Sequence, residues 1–227
     1  MKKIVLCPNP YRDKDLSAAR EAAEILRSVG QRVVFCLPFR PENPVSAPGL
    51  ELRPLQQELR GADMIIAFGG DGTILHLAKT AASRNIPVLG VNLGSLGFMS
   101  ELERNEMHLL KNLASGDFKR ERRMMLDITV EREGRRVYTN TALNDAVVTK
   151  GAVARVIRMR VYVGSALLGF LEGDGVVVAT PTGSTAYSLS AGGPIVNPDF
   201  KGLICVPVAP HTIQARAFLT APSDVIE

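Results

Sequence analysis

The sequence predicts an α/β first domain built on a parallel sheet, followed by a second domain that is mostly antiparallel β-structure. Three observations carry that expectation. Over residues 1–116 short apolar runs alternate with helix-period segments, the pattern of a parallel sheet covered by helices. Over residues 117–227 apolar and polar residues alternate with period two, as antiparallel strands with one solvated face require. The chain has 227 residues and 46% hydrophobic content, enough to bury a sizeable core in one large or two small domains.

Lys3 to Cys7 reads as the first strand, because its apolar run is shorter than the roughly seven residues of a signal-peptide core. Asp15 is a good N-cap for a helix with Ala19, Ala22, Ala23, Leu26 and Val29 on one face and a stop at Gly30. RVVFCL follows as a second strand. Residues 38–50 contain Pro38, Pro41, Pro44 and Pro48 and read as a loop, a candidate lid by composition. A short helix over Pro54 to Arg60 leads to DMIIAF, a third buried strand. Ile74, Leu75, Ala78 and Ala82 predict a helix over Thr73 to Arg84, and IPVLGV is a fourth strand. A charged helix is expected over Glu101 to Leu113. Beyond it, MMLDITVEREGRRVYTNTALNDAVVTK and VARVIRMRVYVG read as strands, with a hairpin turn at Glu133 and Gly134.

Composition excludes several function classes. A net charge of +4 is too small for a nucleic-acid scaffold, although it favours anionic small molecules. Cys7, Cys36 and Cys205 are odd in number and far apart, so neither a disulfide framework nor a CxxC site is expected, and a reducing cytoplasm is the simplest setting. His76, His108 and His211 lack zinc-site spacing. No stretch approaches the roughly 18 apolar residues of a membrane span. The basic residues Lys119, Arg120, Arg122, Arg123, Arg155, Arg158 and Arg160 fit solvated strand faces or a subunit contact better than a phosphate site.

Four constellations can carry chemistry. In GGDGT, residues 69–73, a glycine turn between strand and helix gathers N–H groups suited to phosphate, yet it holds an acid, Asp71. That acid either caps the helix, touches a metal or takes a proton from an attacking hydroxyl. NLGSLGF, residues 92–98, brings glycine backbone and Phe98 near a flat ring, or is a plain strand-to-helix connection. In ALNDAVV, Asn144 and Asp145 can hold ribose hydroxyls or form an Asx-type turn. GDGVVVATPTGSTAYSLSAGGPIVNP, residues 173–198, follows a buried strand with a dense run of hydroxyls, suited to a ligand rich in hydroxyl and phosphate groups.

In this order the four blocks resemble the NAD kinase family, over about Ile65 to His211. The TPTGSTAYSLSAGGPIV block is the specific signal, since GGDGT is shared with lipid kinases and phosphofructokinases. The resemblance implies a Rossmann-like first domain and transfer of the ATP γ-phosphate, or that of polyphosphate, to the 2′-hydroxyl of the adenosine ribose of NAD. It implies a divalent metal, Mg2+ being the usual one, no nucleic acid or membrane partner, and a homodimer or homotetramer. Asp71 maps to the proposed base, and Gly69, Gly70, Gly72 and Thr73 to the donor phosphate turn. Gly72, Leu75 and Phe98 map to positions bordering the dinucleotide, and Asn144 and Asp145 to the pair that holds its ribose. Asp174 maps to an acid near the nicotinamide end, and Thr182, Thr185, Ala186, Tyr187 and Ser190 to residues lining the NAD site. Members usually continue beyond the segment matching ARAFLTAPSDVIE, so the second domain is expected to be shortened. Two alternatives stand beside this reading: a lipid or sugar kinase sharing the glycine turn, and a non-catalytic NAD-binding protein.

Overall fold

The computed structural model describes residues 1–94, 97–152, 155–211 and 215–227. Ser95 and Leu96 of the second glycine loop, and Val153 and Ala154 before the RMRVYV strand, lie outside the described residues. The chain divides into two compact units, Met1–Arg120 and Glu121–Glu227.

The first unit is a six-stranded parallel sheet of β1 (Lys3–Pro8), β2 (Arg32–Cys36), β3 (Leu52–Arg53), β4 (Met64–Gly69), β5 (Val88–Asn92) and β6 (Leu102–Glu103), in the order β3-β2-β1-β4-β5-β6. Because strand side chains alternate between faces, Ile4, Leu6, Ile66 and Phe68 join one buried cluster while Val5, Cys7, Ile65 and Ala67 join another. Helix α1 (Ser17–Ser28) covers the first face with Ala18, Ala19, Ala22, Ala23 and Leu26. Helices α2 (Leu55–Glu58) and α3 (Asp71–Ala82) are on the other side, where Leu59, Ile74, Leu77 and Ala81 pack. This is the Rossmann-like doubly wound arrangement, and its strand order reverses between β1 and β4, where such sheets bind ligands outside their carboxyl ends.

Two local expectations change. Asp15 does not cap α1; it stands at φ 54° inside a 3₁₀ turn over Lys14–Leu16. Asp13 supplies the carboxylate instead, accepting the N–H groups of Ala18 at 2.9 Å and Ala19 at 3.0 Å, because the intervening turn brings it under the helix start. The end of α1 follows the sequence: Gly30 at φ 75° closes a Schellman motif, with Gly30 N–H on the Arg27 carbonyl and Gln31 N–H on that of Leu26. The charged helix is for the most part a 3₁₀ segment, Arg104–Lys111, followed by one turn of α-helix, α4 (Asn112–Ser115).

The second unit is antiparallel throughout. β7 (Leu126–Arg132) and β8 (Arg135–Ala142) form a hairpin whose turn places Glu133 at φ 53° and Gly134 at φ 70°, the left-handed pair of a two-residue hairpin loop. After β9 (Asp145–Thr149), β10 (Ile157–Val163) and β11 (Ala166–Gly173) form another hairpin, and β10 also bonds the chain end through Tyr162 and Glu227. β12 (Gly175–Ala179), β13 (Ile204–Val208) and β14 (Phe218–Leu219) complete a four-stranded sheet ordered β14-β13-β12-β9. The hydroxyl-rich block after β12 is not open loop: it forms a 3₁₀ turn, Thr182–Thr185, and a short helix α5 (Tyr187–Ser190).

Candidate active site

In the first unit the carboxyl ends of β1, β4 and β5 bring three loops together. Leu93 N–H donates to the Gly69 carbonyl at 3.1 Å and Asn9 N–H to that of Phe68 at 2.9 Å. Asn9 Nδ2 then donates to Thr73 Oγ1 at 3.0 Å. Gly69, at φ 157°, is tied to glycine twice over, since a Cβ there would fall on Thr73 Oγ1. The Cβ positions of Gly70 and Gly72 meet nothing within 4 Å, so this side of the turn is open for a ligand to approach the backbone.

Asp71 is the first residue of α3 but makes no cap; the N-cap is Gly70, without a side-chain bond. The capping explanation is therefore set aside. Its carboxylate crosses to the next loop, where Phe98 N–H donates to Oδ2 at 2.9 Å and Met99 N–H to Oδ1 at 3.1 Å. Such charge-assisted bonds fix a side chain firmly, and each oxygen keeps a lone pair for a further donor. Gly97 completes the fit, because a Cβ there would strike the Asp71 carboxylate. Phe98 is 66% exposed and Leu75 36% exposed, so both present apolar surface beside the turn.

In the second unit the pairing of β9 with β12 sets Asp145 opposite Ala179. That register delivers Asn144 to the start of the hydroxyl-rich block. Thr180 N–H donates to the Asn144 carbonyl at 2.8 Å, Thr180 Oγ1 donates to the Leu143 carbonyl at 2.5 Å, and Gly183 N–H returns to Thr180 Oγ1 at 3.1 Å. Gly183 lies against Asn144 so closely that a Cβ would overlap the Asn144 carbonyl. Asn144 Oδ1 is buried with no hydrogen-bond partner among the described residues, an acceptor that calls for a donor from a ligand. Beside it, burial pushes the Asp145 carboxyl above its ordinary value of 3.8. Thr182 is 7% exposed and receives Arg123 Nη1 at 3.4 Å, while Tyr187 is 42% exposed. Thr185 and Ala186 are half-buried and Ser190 is exposed.

Asp174 stands apart. It precedes β12, six residues before Thr180, which is about 20 Å at roughly 3.3 Å per residue. There its Oδ1 pairs with Lys150 Nζ at 2.7 Å.

Asn9 escapes sequence reasoning, and Arg123, expected on a solvated strand face or in a subunit contact, instead pairs with Glu121 and reaches Thr182. Asn9 had a signal, an amide directly after the first buried strand of a parallel sheet; the contact of Arg123 with Thr182 had none, because it spans 59 residues.

With this geometry in hand, comparison with known proteins is decisive. The family model described as the ATP-NAD kinase N-terminal domain matches residues 4–118, and that of the ATP-NAD kinase C-terminal domain matches residues 143–227. The chain belongs to the NAD kinase family. It is similar to the NAD kinase of Caldanaerobacter subterraneus subsp. tengcongensis, 40% identical over 229 residues that cover 100% of this chain and 79% of that protein. Among solved structures it is similar to yeast NADH kinase complexed with NADH, with a TM-score of 0.83, 26% identity, and coverage of 100% of this chain and 71% of that one. An NAD kinase from Archaeoglobus fulgidus in complex with ATP shares the fold, with a TM-score of 0.73 at 24% identity over 100% of this chain and 79% of that one. As a member of this family the protein is an enzyme, an NAD kinase. No helix among the described residues is long and apolar enough to cross a membrane.

Proposed function

We propose that this NAD kinase transfers the γ-phosphoryl group of ATP to the 2′-hydroxyl of the adenosine ribose of NAD, giving NADP and ADP. The observation that supports the acceptor role of the second unit is the unpartnered Asn144 Oδ1 beside the half-buried Asp145 carboxyl. A ribose presents two adjacent hydroxyls, each a donor, which is what an orphaned amide oxygen and a carboxylate both lack. Thr182, Thr185, Ala186, Tyr187 and Ser190 supply the remaining surface for NAD, and Asp174 is assigned to its nicotinamide end, which requires the dinucleotide to lie along β12.

In the first unit the open glycines Gly70 and Gly72, with Gly69 and Thr73, receive the donor phosphates at the start of α3, where backbone N–H groups and the helix dipole favour anions. Asp71 takes the proton of the 2′-hydroxyl as its oxygen bonds the γ-phosphorus and the bond to the β–γ bridging oxygen breaks; the proton then passes to water. Holding Asp71 between two N–H donors keeps the base from collapsing onto its own helix. A divalent cation such as Mg2+ would neutralise charge on the phosphates. Such an ion would be carried mainly by phosphate and water, and Asp71 is the carboxylate of the turn that could reach it. Inorganic polyphosphate presents the same phosphate chain and is a second candidate donor. The buried thiols, Cys36 and Cys205 pushed up to about 12 and Cys7 also raised, suit a reducing cytoplasm. Exposed Val137, Tyr138, Leu168 and Phe170 on the hairpins suit assembly into a homodimer or homotetramer.

A coupled assay with NAD, ATP and Mg2+, followed by phosphorus NMR of the product, tests the reaction. Equimolar ADP and a 2′-phosphate support it; tight NAD binding with neither product overturns it in favour of a non-catalytic binding protein.

A further inference from the structure

The glycine turn contains an acid and no base, yet a nucleoside triphosphate brings about four negative charges, of which one divalent cation offsets about two. In P-loop enzymes the loop's own lysine meets this charge. Here the cation must come from another strand, and the structure offers one. We propose that Arg12 is the side chain that receives the phosphate chain of the donor; this rests on the reading that the GGDGT turn is the donor site.

Arg12 belongs to the turn after β1, and that turn is anchored at both ends. The Asn9 carbonyl accepts Arg12 N–H at 3.0 Å and Asp13 N–H at 2.8 Å, and Asp13 is buried under the start of α1. Asn9 also holds Thr73 of the glycine turn. From this fixed base the guanidinium extends sideways until Nη1 lies 3.6 Å from the Cβ position of Gly94, in the loop after β5. β1, β4 and β5 are neighbours in that order, so reaching from the first loop to the third spans two strand spacings, about 10 Å. The loop between them is GGDGT.

The guanidinium therefore stands across the mouth of the glycine turn. It is exposed and makes no hydrogen bond or ion pair among the described residues, while Asp13 is engaged by the N–H groups of Ala18 and Ala19 and Asp71 by those of Phe98 and Met99. Five fixed donors on a planar cation suit phosphate oxygens bidentately. The backbone from which it extends is fixed by the buried Asp13 cap and by the Asn9 amide on Thr73, and its Nη1 is set beside Gly94 of the third loop. The acid in the turn is thereby left for the hydroxyl, and the charge of the donor is met from β1.

The test uses the intact enzyme and Arg12→Ala, Arg12→Lys and Arg12→Gln. The Michaelis constants for ATP and for NAD are measured, and binding of inorganic tripolyphosphate is followed by calorimetry, which needs no turnover. Arg12→Ala and Arg12→Gln raise the KM for ATP and weaken tripolyphosphate at least tenfold, Arg12→Lys recovers part of the loss, and the KM for NAD stays within twofold. Unchanged ATP and tripolyphosphate values in a folded Arg12→Ala protein overturn the proposal while NADP formation by the wild type keeps the reaction intact. A wild type that makes no NADP but loses tripolyphosphate binding on Arg12→Ala would sink the reaction and keep the arginine. If Arg12→Ala fails to fold, Arg12→Gln against Arg12→Lys decides: equal ATP constants contradict a role for the charge.

Discussion

The two units build polar sites by opposite means. The first buries two large clusters, one on each face of its parallel sheet, and from that rigid base presents backbone, glycine and one oriented carboxylate. The second has two small clusters, centred on Val177 and Ile204 and on Val161 and Val176, and presents side-chain hydroxyls, an amide and a carboxyl kept half out of water. The lesson is a division of labour. In the proposed function, chemistry that needs a fixed base falls where the core is thick, and recognition of a hydroxyl-rich molecule falls where the core is thin.

The largest expected effect breaks this comparison on stability. Ile66 and Ile204 are both fully buried, yet Ile66→Ala opens a cavity in the dense first core while Ile204→Ala leaves one that the thin second core can partly fill. Of the roughly 2–5 kcal/mol typical of such deletions, the first falls in the upper part and the second in the lower. Denaturant titration of both variants measures it; equal losses would erase the distinction. Next, Gly183→Ala forces a methyl onto the Asn144 carbonyl, and overpacking against backbone costs about 1–3 kcal/mol. It should weaken NAD binding, read by calorimetry, and spare tripolyphosphate binding in the first unit.

The smallest effect sharpens the comparison through pH. Asp145 has a folded pKa raised by burial above 3.8, so its contribution to stability is fully present below that value and is lost as pH rises through the folded one. Above it the half-buried carboxylate, the form that burial disfavours, costs stability. Asp145→Asn is expected to raise the melting temperature slightly at pH 7 and not at pH 3, while raising the KM for NAD about tenfold, or about 1.4 kcal/mol. A stabilised variant with unchanged NAD affinity would remove Asp145 from the ribose site.

How much of this the sequence made legible depends on range. β1, β2, β4 and β5 are continuous apolar runs with local stops, and the hairpin turn at Glu133 and Gly134 is written in adjacent residues. The two-residue strands β3 and β6 exist only because a neighbour offers them an edge, so no local pattern announces them. Asp13 replaces Asp15 as the cap because an intervening turn with Asp15 and Leu16 at positive φ re-aims the chain, which propensity alone does not foresee. The same holds at the site. GGDGT marks a special turn, but the bonds from Asp71 to Phe98 and Met99 span 27 and 28 residues, and only the parallel pairing of β4 and β5 brings those loops together.

The central claim is that Asp71 acts on the transferred proton and not on the binding of NAD. Single-turnover phosphorylation and NAD titration of Asp71→Asn test it most directly, with the melting temperature as a control for loosening of the loop at 97–99. Turnover is expected to fall at least about a hundredfold with the Kd for NAD within twofold of the wild type. A variant that turns over normally, or one that loses NAD affinity as much as turnover, would contradict it.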